Sequence, residues 1–302
     1  MATPRLILCA TDLSPASMPA WAFTQRLARA TRARLGLVHV VPWIPVPLEG
    51  AFDAATYQRL IDEDRTAARE ALDRLVRDAA GGAEGVSVHV EDGPPAARIV
   101  EVAERERADL VVVGTHGRTG LNRLLVGSVA EQVLQLAKTP VVTARPLPAS
   151  PELPTPGLSR ILYPTDFSPA ARRAWPWART LAEATGASVD VLHVMLDVVP
   201  DRHVDPAFLV QAEKAIREDA QRSADQFLAG CGLASDRVSA HLVHGVEAEQ
   251  ITHWAAARGA DLIVMGTHGR TGVLRLALGS VARRVLHAAP CPVLTVGPEV
   301  GG

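Results

Sequence analysis

Hydrophobic and polar residues are laid out along this chain in two recurring rhythms. Short runs that are apolar at every position, such as Leu110-Val111-Val112-Val113 and Leu262-Ile263-Val264-Met265, alternate with longer stretches of helical spacing. A strand apolar on both faces is buried on both faces, as in a parallel sheet covered by helices. In the first half the pattern predicts strands near 5–10, 35–41, 86–90, 109–113 and 140–144. The helices between them are expected near 16–33, 53–80, 95–107 and 128–138. In the second half it predicts strands near 160–164, 188–194, 238–243, 261–265 and 292–296. The corresponding helices fall near 170–186, 207–230, 247–258 and 280–288. Strand–helix alternation of this kind predicts an α/β protein of two tandem doubly wound domains, each a five-stranded parallel sheet with helices on both faces.

The halves repeat each other. Gly114–Gly120 (GTHGRTG) recurs unchanged at Gly266–Gly272, and each copy is followed by a Gly-Ser pair, Gly127-Ser128 and Gly279-Ser280. Thr11-Asp12-Leu13-Ser14-Pro15 matches Thr165-Asp166-Phe167-Ser168-Pro169, and His39-Val40 matches His193-Val194. A repeat this long is a duplicated domain, not a solenoid unit. Five prolines between Ala144 and Arg160 mark a semi-stiff linker. The expected organisation is a first domain at 1–145, a linker at 146–159 and a second domain at 160–302.

Composition narrows the functional classes. The chain has 302 residues, is 48% apolar and carries a net charge of −2. That length suits two domains of common size, and the charge balance argues against a surface for nucleic acid or anionic membrane. Neither a signal-peptide pattern nor a membrane-spanning run is legible, so a cytoplasmic location is expected. Cys9, Cys231 and Cys291 are far apart and read as reduced, packed side chains.

In a doubly wound sheet, ligands bind beyond the carboxyl ends of the strands, where strand order reverses. The glycine-rich loop follows the fourth strand and the Thr-Asp segment the first, so both should meet there. Glycine permits close approach of a ligand to the backbone. Ser128 and Ser280 sit where helix N-caps are expected, and a helix start favours an anion, most simply phosphate. Glu131 would complete a capping box with Ser128, whereas the second half has Arg283 there. Arg118, Arg270, His116 and His268 could meet phosphate oxygens. Asp12 and Asp166 could accept from a ribose hydroxyl or hold a phosphate-bound metal, and would look the same as ordinary Asx turns. His39 and His193 lie inside strands and read as packed histidines. No P-loop, dinucleotide-binding, nucleophile-elbow or zinc motif is legible, and no catalytic residue is assigned.

The pattern GxxGx9G[ST], the T-D-x-S-P start and the duplicated α/β layout resemble the universal stress proteins, here a tandem two-domain member of the ATP-binding subtype. The resemblance covers nearly the whole chain apart from the linker. It implies Rossmann-like domains of strand order 3-2-1-4-5, each holding one ATP with Mg2+ in its crevice. It implicates Thr11, Asp12, Val40, Gly114, Thr115, Gly117, Arg118, Gly127, Ser128 and Val129 in the first domain. Thr165, Asp166, Val194, Gly266, Thr267, Gly269, Arg270, Gly279, Ser280 and Val281 are implicated in the second. The fifth strands are implied to pair the two halves within the chain, and a homodimer and an unknown protein partner are further implications. Cys9-Ala10 stands where the second half has Tyr163-Pro164, which suggests different entrances to the two sites. A stress or regulatory protein that binds ATP is the leading expectation. Two others stay open: a slow Mg-dependent ATP hydrolase or phosphotransferase, and a dimerising scaffold with vestigial pockets.

Overall fold

The computed structural model describes residues 3–41, 54–79, 85–115, 127–145, 157–195, 205–267 and 278–297. The chain forms two compact units that divide between Pro151 and Glu152. The first runs β1 (Leu6–Ala10), a single 3-10 turn (Pro15–Ser17), α1 (Met18–Thr31), β2 (Arg34–Val41), α2 (Ala54–Arg77), β3 (Val86–Asp92), α3 (Pro95–Arg105), β4 (Leu110–Gly114), α4 (Ser128–Leu136) and β5 (Val141–Ala144). The second runs β6 (Arg160–Pro164), α5 (Pro169–Arg172), α6 (Trp175–Thr185), β7 (Ser188–Met195), α7 (Pro206–Gly230), β8 (Val238–His244), α8 (Glu247–Arg258), β9 (Leu262–Gly266), α9 (Ser280–Ala288) and β10 (Val293–Val296). Within the first unit the strands are parallel in the order β3-β2-β1-β4-β5, and within the second in the order β8-β7-β6-β9-β10. The doubly wound α/β expectation therefore holds.

The core follows from the sequence rhythm. Every residue of β1 is buried, as are Leu110 to Val113 of β4. Such strands lose water from both faces, which is the main drive for helices to cover the sheet. α1 turns Trp21, Thr24, Leu27, Ala28 and Thr31 inward at intervals of three and four, the helical spacing. One polar departure stands out. Asp190 on β7 is buried, with its carboxylate oxygens 3.1 and 3.4 Å from Arg160 Nη1. The first unit has Gly36 at that place, where a Cβ would lie 3.0 Å from Leu8 Cδ1.

One expectation needs correction. The second half does not form a continuous helix over 170–186, because it breaks between Arg172 and Trp175. Pro176 lacks an N–H and cannot bond back to Arg172, so the helix has to restart with proline in its first turn. The first half does the same with Pro19, which lies in the first turn of α1 after the 3-10 turn.

The amino ends of the sheets are tied by a duplicated carboxylate. Asp109 Oδ2 accepts from the amides of Arg5 (2.7 Å) and Leu6 (3.1 Å). Asp261 Oδ2 does the same for Ser159 (2.8 Å) and Arg160 (3.0 Å). Each aspartate just precedes a central strand and satisfies amides at the start of its neighbour. Asp261→Ala should therefore destabilise the second unit by about 2 kcal/mol through loss of a charge-assisted pair. Denaturant unfolding would check this, and a loss below about 0.5 kcal/mol would mean that water replaces the carboxylate without cost.

Candidate functional site

Strand order reverses between β1 and β4 in the first unit and between β6 and β9 in the second, which leaves a crevice at their carboxyl ends. Ala10 is level with Val38 of β2 and Val113 of β4. Thr11 and Asp12 therefore emerge between Val40 on one side and Gly114 and Thr115 on the other. In the second unit Pro164 is level with Leu192, so Thr165 and Asp166 emerge towards Val194 and the end of β9.

The Thr-Asp segment is locked in the same way twice. The Thr11 amide donates to the Val38 carbonyl at 3.0 Å, and the Thr165 amide to that of Leu192 at 2.9 Å. The backbone then reverses sharply. Thr11 Oγ1 accepts from the Leu13 amide (3.0 Å) and Asp12 Oδ1 from the Ser14 amide (3.0 Å). Thr165 and Asp166 repeat both bonds at 2.9 Å. Side-chain turns of this kind let a short polar residue stand in for backbone. They hold Leu13 at φ 62° and Phe167 at φ 59°, left-handed conformations that cost about 1 kcal/mol for a residue with a Cβ. His39 Nδ1 and His193 Nδ1 each lie 2.8 Å from the carbonyl oxygens of Thr11 and Thr165. A carbonyl only accepts, so in both rings Nδ1 carries the proton. The histidines are packed, as their place in the strands suggests, and they also anchor the residue before each aspartate.

The second wall is a glycine tied to a threonine. Gly127 N donates to the Thr115 carbonyl at 2.7 Å, and Gly279 N to that of Thr267 at 2.9 Å. Thr115 and Thr267 are buried. A Cβ on Gly127 would sit 3.1 Å from the Thr115 oxygen, so glycine here serves close approach. Ser128 and Ser280 are not N-caps, contrary to expectation. The caps are Gly127 and Gly279, in extended backbone conformation, whose carbonyls accept from the amides of Glu131 (3.0 Å) and Arg283 (2.9 Å). Neither cap has a side-chain hydrogen bond, and the expected capping box between Ser128 and Glu131 does not form, because Ser128 is already the first helical residue. The bond from Gly127 to Thr115 fixes the glycine in the cap position, one residue earlier than the serine pattern suggested. Ser128, Val129, Ser280 and Val281 thus lie in the first helical turn, where amides have no acceptor within the helix. Ser128, Val129 and Ser280 are exposed.

Other candidates fall outside this frame. Gly117, Arg118, Gly269 and Arg270, together with His116 and His268, lie outside the described residues. Tyr163 is fully buried, as is Cys9, so this exchange does not alter the entrances as expected, and acts beneath the site. Burial pushes the Tyr163 hydroxyl up to about 12, and the thiols of Cys9 and Cys291 likewise to about 12. All three cysteines are buried and free. Among the described residues no cluster of three His, Cys, Asp or Glu could hold a metal by itself. Nor is any described helix long and apolar enough to cross a membrane. Sequence reasoning missed Ser17, whose buried hydroxyl lies beside Thr11 under the first site. The signal was present where the aligned halves differ.

The model of the universal stress protein family matches the chain twice, over residues 4–145 and 157–297. A universal stress protein of Mycolicibacterium smegmatis is 30% identical over 300 residues, covering 99% of each chain. One from Mycobacterium tuberculosis is 30% identical over 269 residues, covering 86% of each. The crystal structure of a universal stress protein from Archaeoglobus fulgidus has a TM-score of 0.65 at 24% identity, covering 98% of this chain and 97% of that one. That likeness speaks to the fold.

The histidine anchors can be tested directly. Nitrogen-15 NMR of the imidazoles at neutral pH should show the Nδ1–H tautomer for His39 and His193. His39→Leu should destabilise the first unit by about 1–2 kcal/mol, since it strands the Thr11 carbonyl without its donor. An Nε2–H tautomer at both positions would refute the assignment.

Proposed function

The chain belongs to the universal stress protein family, and we propose that each unit holds one ATP in its crevice and acts as a regulatory, non-catalytic nucleotide binder. The observation that supports this most strongly is the duplicated glycine–threonine tie, which brings a helix start to the end of a central strand in both halves. First-turn amides at Ser128 and Val129, and at Ser280 and Val281, offer donors and the positive end of a helix dipole to phosphate oxygens. Gly117, Arg118, Gly269 and Arg270, in the loops that follow Gly114 and Gly266, are proposed as further phosphate contacts. Asp12 and Asp166 face the ribose, and the main chain at Val40 and Val194 faces the adenine. A Mg2+ ion carried by the phosphates would neutralise their charge and would need few protein carboxylates, with Asp12 or Asp166 placed to help hold it. The chain's own task is to orient the nucleotide and hold it away from bulk water.

The first turns differ in charge. α4 places Glu131 there and α9 places Arg283. Beside a triphosphate, the exposed arginine favours binding and the half-buried glutamate opposes it by about 0.5–1 kcal/mol.

Denaturing freshly purified protein and identifying any released nucleotide by mass spectrometry tests the proposal. Intact ATP at one per unit is the expected result. ADP in its place would favour hydrolysis, and protein that stays empty at millimolar ATP would overturn the reading. Gly127→Val, which crowds the Thr115 carbonyl, should halve the ATP bound per chain while the circular dichroism spectrum stays unchanged. Glu131→Gln should tighten the first site about two- to fivefold by calorimetry, and no change would remove the charge argument.

A further inference from the structure

Where α3 ends against β3, one histidine of the first unit stands between two side chains of opposite charge. His89 of β3 keeps only 14% of its side chain exposed, and the consecutive residues Arg105 and Glu106 close over it from the end of α3. Arg105 Nη2 lies 3.5 Å from His89 Nδ1, and Glu106 Oε1 lies 3.9 Å from that same nitrogen. A guanidinium only donates, so Nδ1 accepts from it and carries no proton. The ring proton is then on Nε2, which donates to Ser87 Oγ at 3.2 Å. This tautomer is the opposite of that in His39 and His193.

A proton arriving at Nδ1 reverses the role of that nitrogen. It can then only donate, so the bond from Arg105 is lost and Glu106 becomes the acceptor within reach. Arg105 keeps other partners, since its Nη2 donates to Glu91 Oε1 at 2.6 Å and its Nε lies 3.6 Å from Glu106 Oε1. From α2, Arg69 donates to the Val88 carbonyl at 3.2 Å and adds positive charge near the ring. The second unit is built differently. Ala257 and Arg258 stand at the places of Arg105 and Glu106. Its matching histidine, His241, lies 3.5 Å from the buried carboxylate of Asp190.

We infer that His89 is an acid-sensitive switch, which exchanges Arg105 for Glu106 when it takes up a proton and thereby weakens the first unit. The inference is independent of the nucleotide reading. Burial holds the imidazole below its ordinary value of 6.5. Glu106 opposes that shift and Arg105 adds to it, with Glu91 and Arg69 acting in the same opposed senses. The unfolded chain therefore takes up this proton more readily than the folded one. Stability from His89 is fully present at neutral pH and is lost as pH falls from 6.5 through the lower folded value.

Imidazole NMR titration of the full chain tests this. At neutral pH His89 should show the Nε2–H tautomer, and its titration midpoint should lie below 6.5. Arg105→Gln should move that midpoint up and Glu106→Gln should move it down, two shifts that burial alone would not produce. Crystal structures at neutral and acid pH should show Arg105 leaving Nδ1 and Glu106 closing to hydrogen-bond distance. Denaturant unfolding, followed through the amides of β1 and β4, should show the first unit losing more stability on acidification than it does in His89→Gln. A midpoint at or above 6.5, midpoints that neither charge variant moves, an Arg105 that stays on Nδ1 in acid, or equal acid losses with and without the histidine would each overturn the inference. Should a variant fail to fold, the titration and the paired structures of the unmodified chain still decide it.

Discussion

A single backbone hydrogen bond, made once in each half, governs the geometry of both crevices. It runs from the amide of a glycine to the carbonyl of a buried threonine at the end of a central strand, Gly127 to Thr115 and Gly279 to Thr267. Each threonine amide is in turn fixed to the neighbouring strand, through the carbonyls of Ala144 and Val296. The helix that follows cannot drift, because its cap is bonded to the sheet. Main-chain donors positioned by a sheet have little freedom to lose when an anion arrives, and preorganisation of this kind favours tight binding.

The opposite wall relies on strain held in place. Leu13 and Phe167 adopt a left-handed conformation that their side chains disfavour. It persists because threonine, aspartate and histidine each clamp one group of the turn. Strained residues persist where surrounding contacts over-determine them, and such places cluster at functional sites. In the second unit the clamp is reinforced by aromatic packing, with Phe167 5.1 Å from His193 and 5.9 Å from Phe227 between ring centres. The first unit has Leu13 in that role. One backbone conformation is thus reached with two different side-chain sets.

Much of this is legible in the amino-acid sequence. The unbroken apolar runs of β1, β4, β6 and β9 announce buried parallel strands, and the repeated loop announces a duplicated crevice. Two kinds of feature were not legible. The cap position was misplaced by one residue because serine is the stronger N-cap by preference, and only the bond to Thr115 shows that glycine occupies it. The break at Arg172–Trp175 was hidden because Pro176 is compatible with a helix that starts there as well as with one that ends. The role of Ser17 could not be read from either half alone. It emerges where Ser17 stands against Ala171, because only the fold brings the Ser17 hydroxyl to Thr11 and the Ser14 carbonyl.

The helix ends carry a further consequence of the duplication. α6 and α8 end on Gly186 and Gly259, both in the left-handed region. At the matching places the first unit has Arg32 and Arg107, with φ of 57° and 55°. Glycine takes this conformation freely, whereas each arginine costs about 1 kcal/mol. Those helix ends in the first unit should sit nearer to local opening, with amides that exchange with solvent sooner. The copies are thus expected to differ in how readily they fray, even though their folded backbones remain alike.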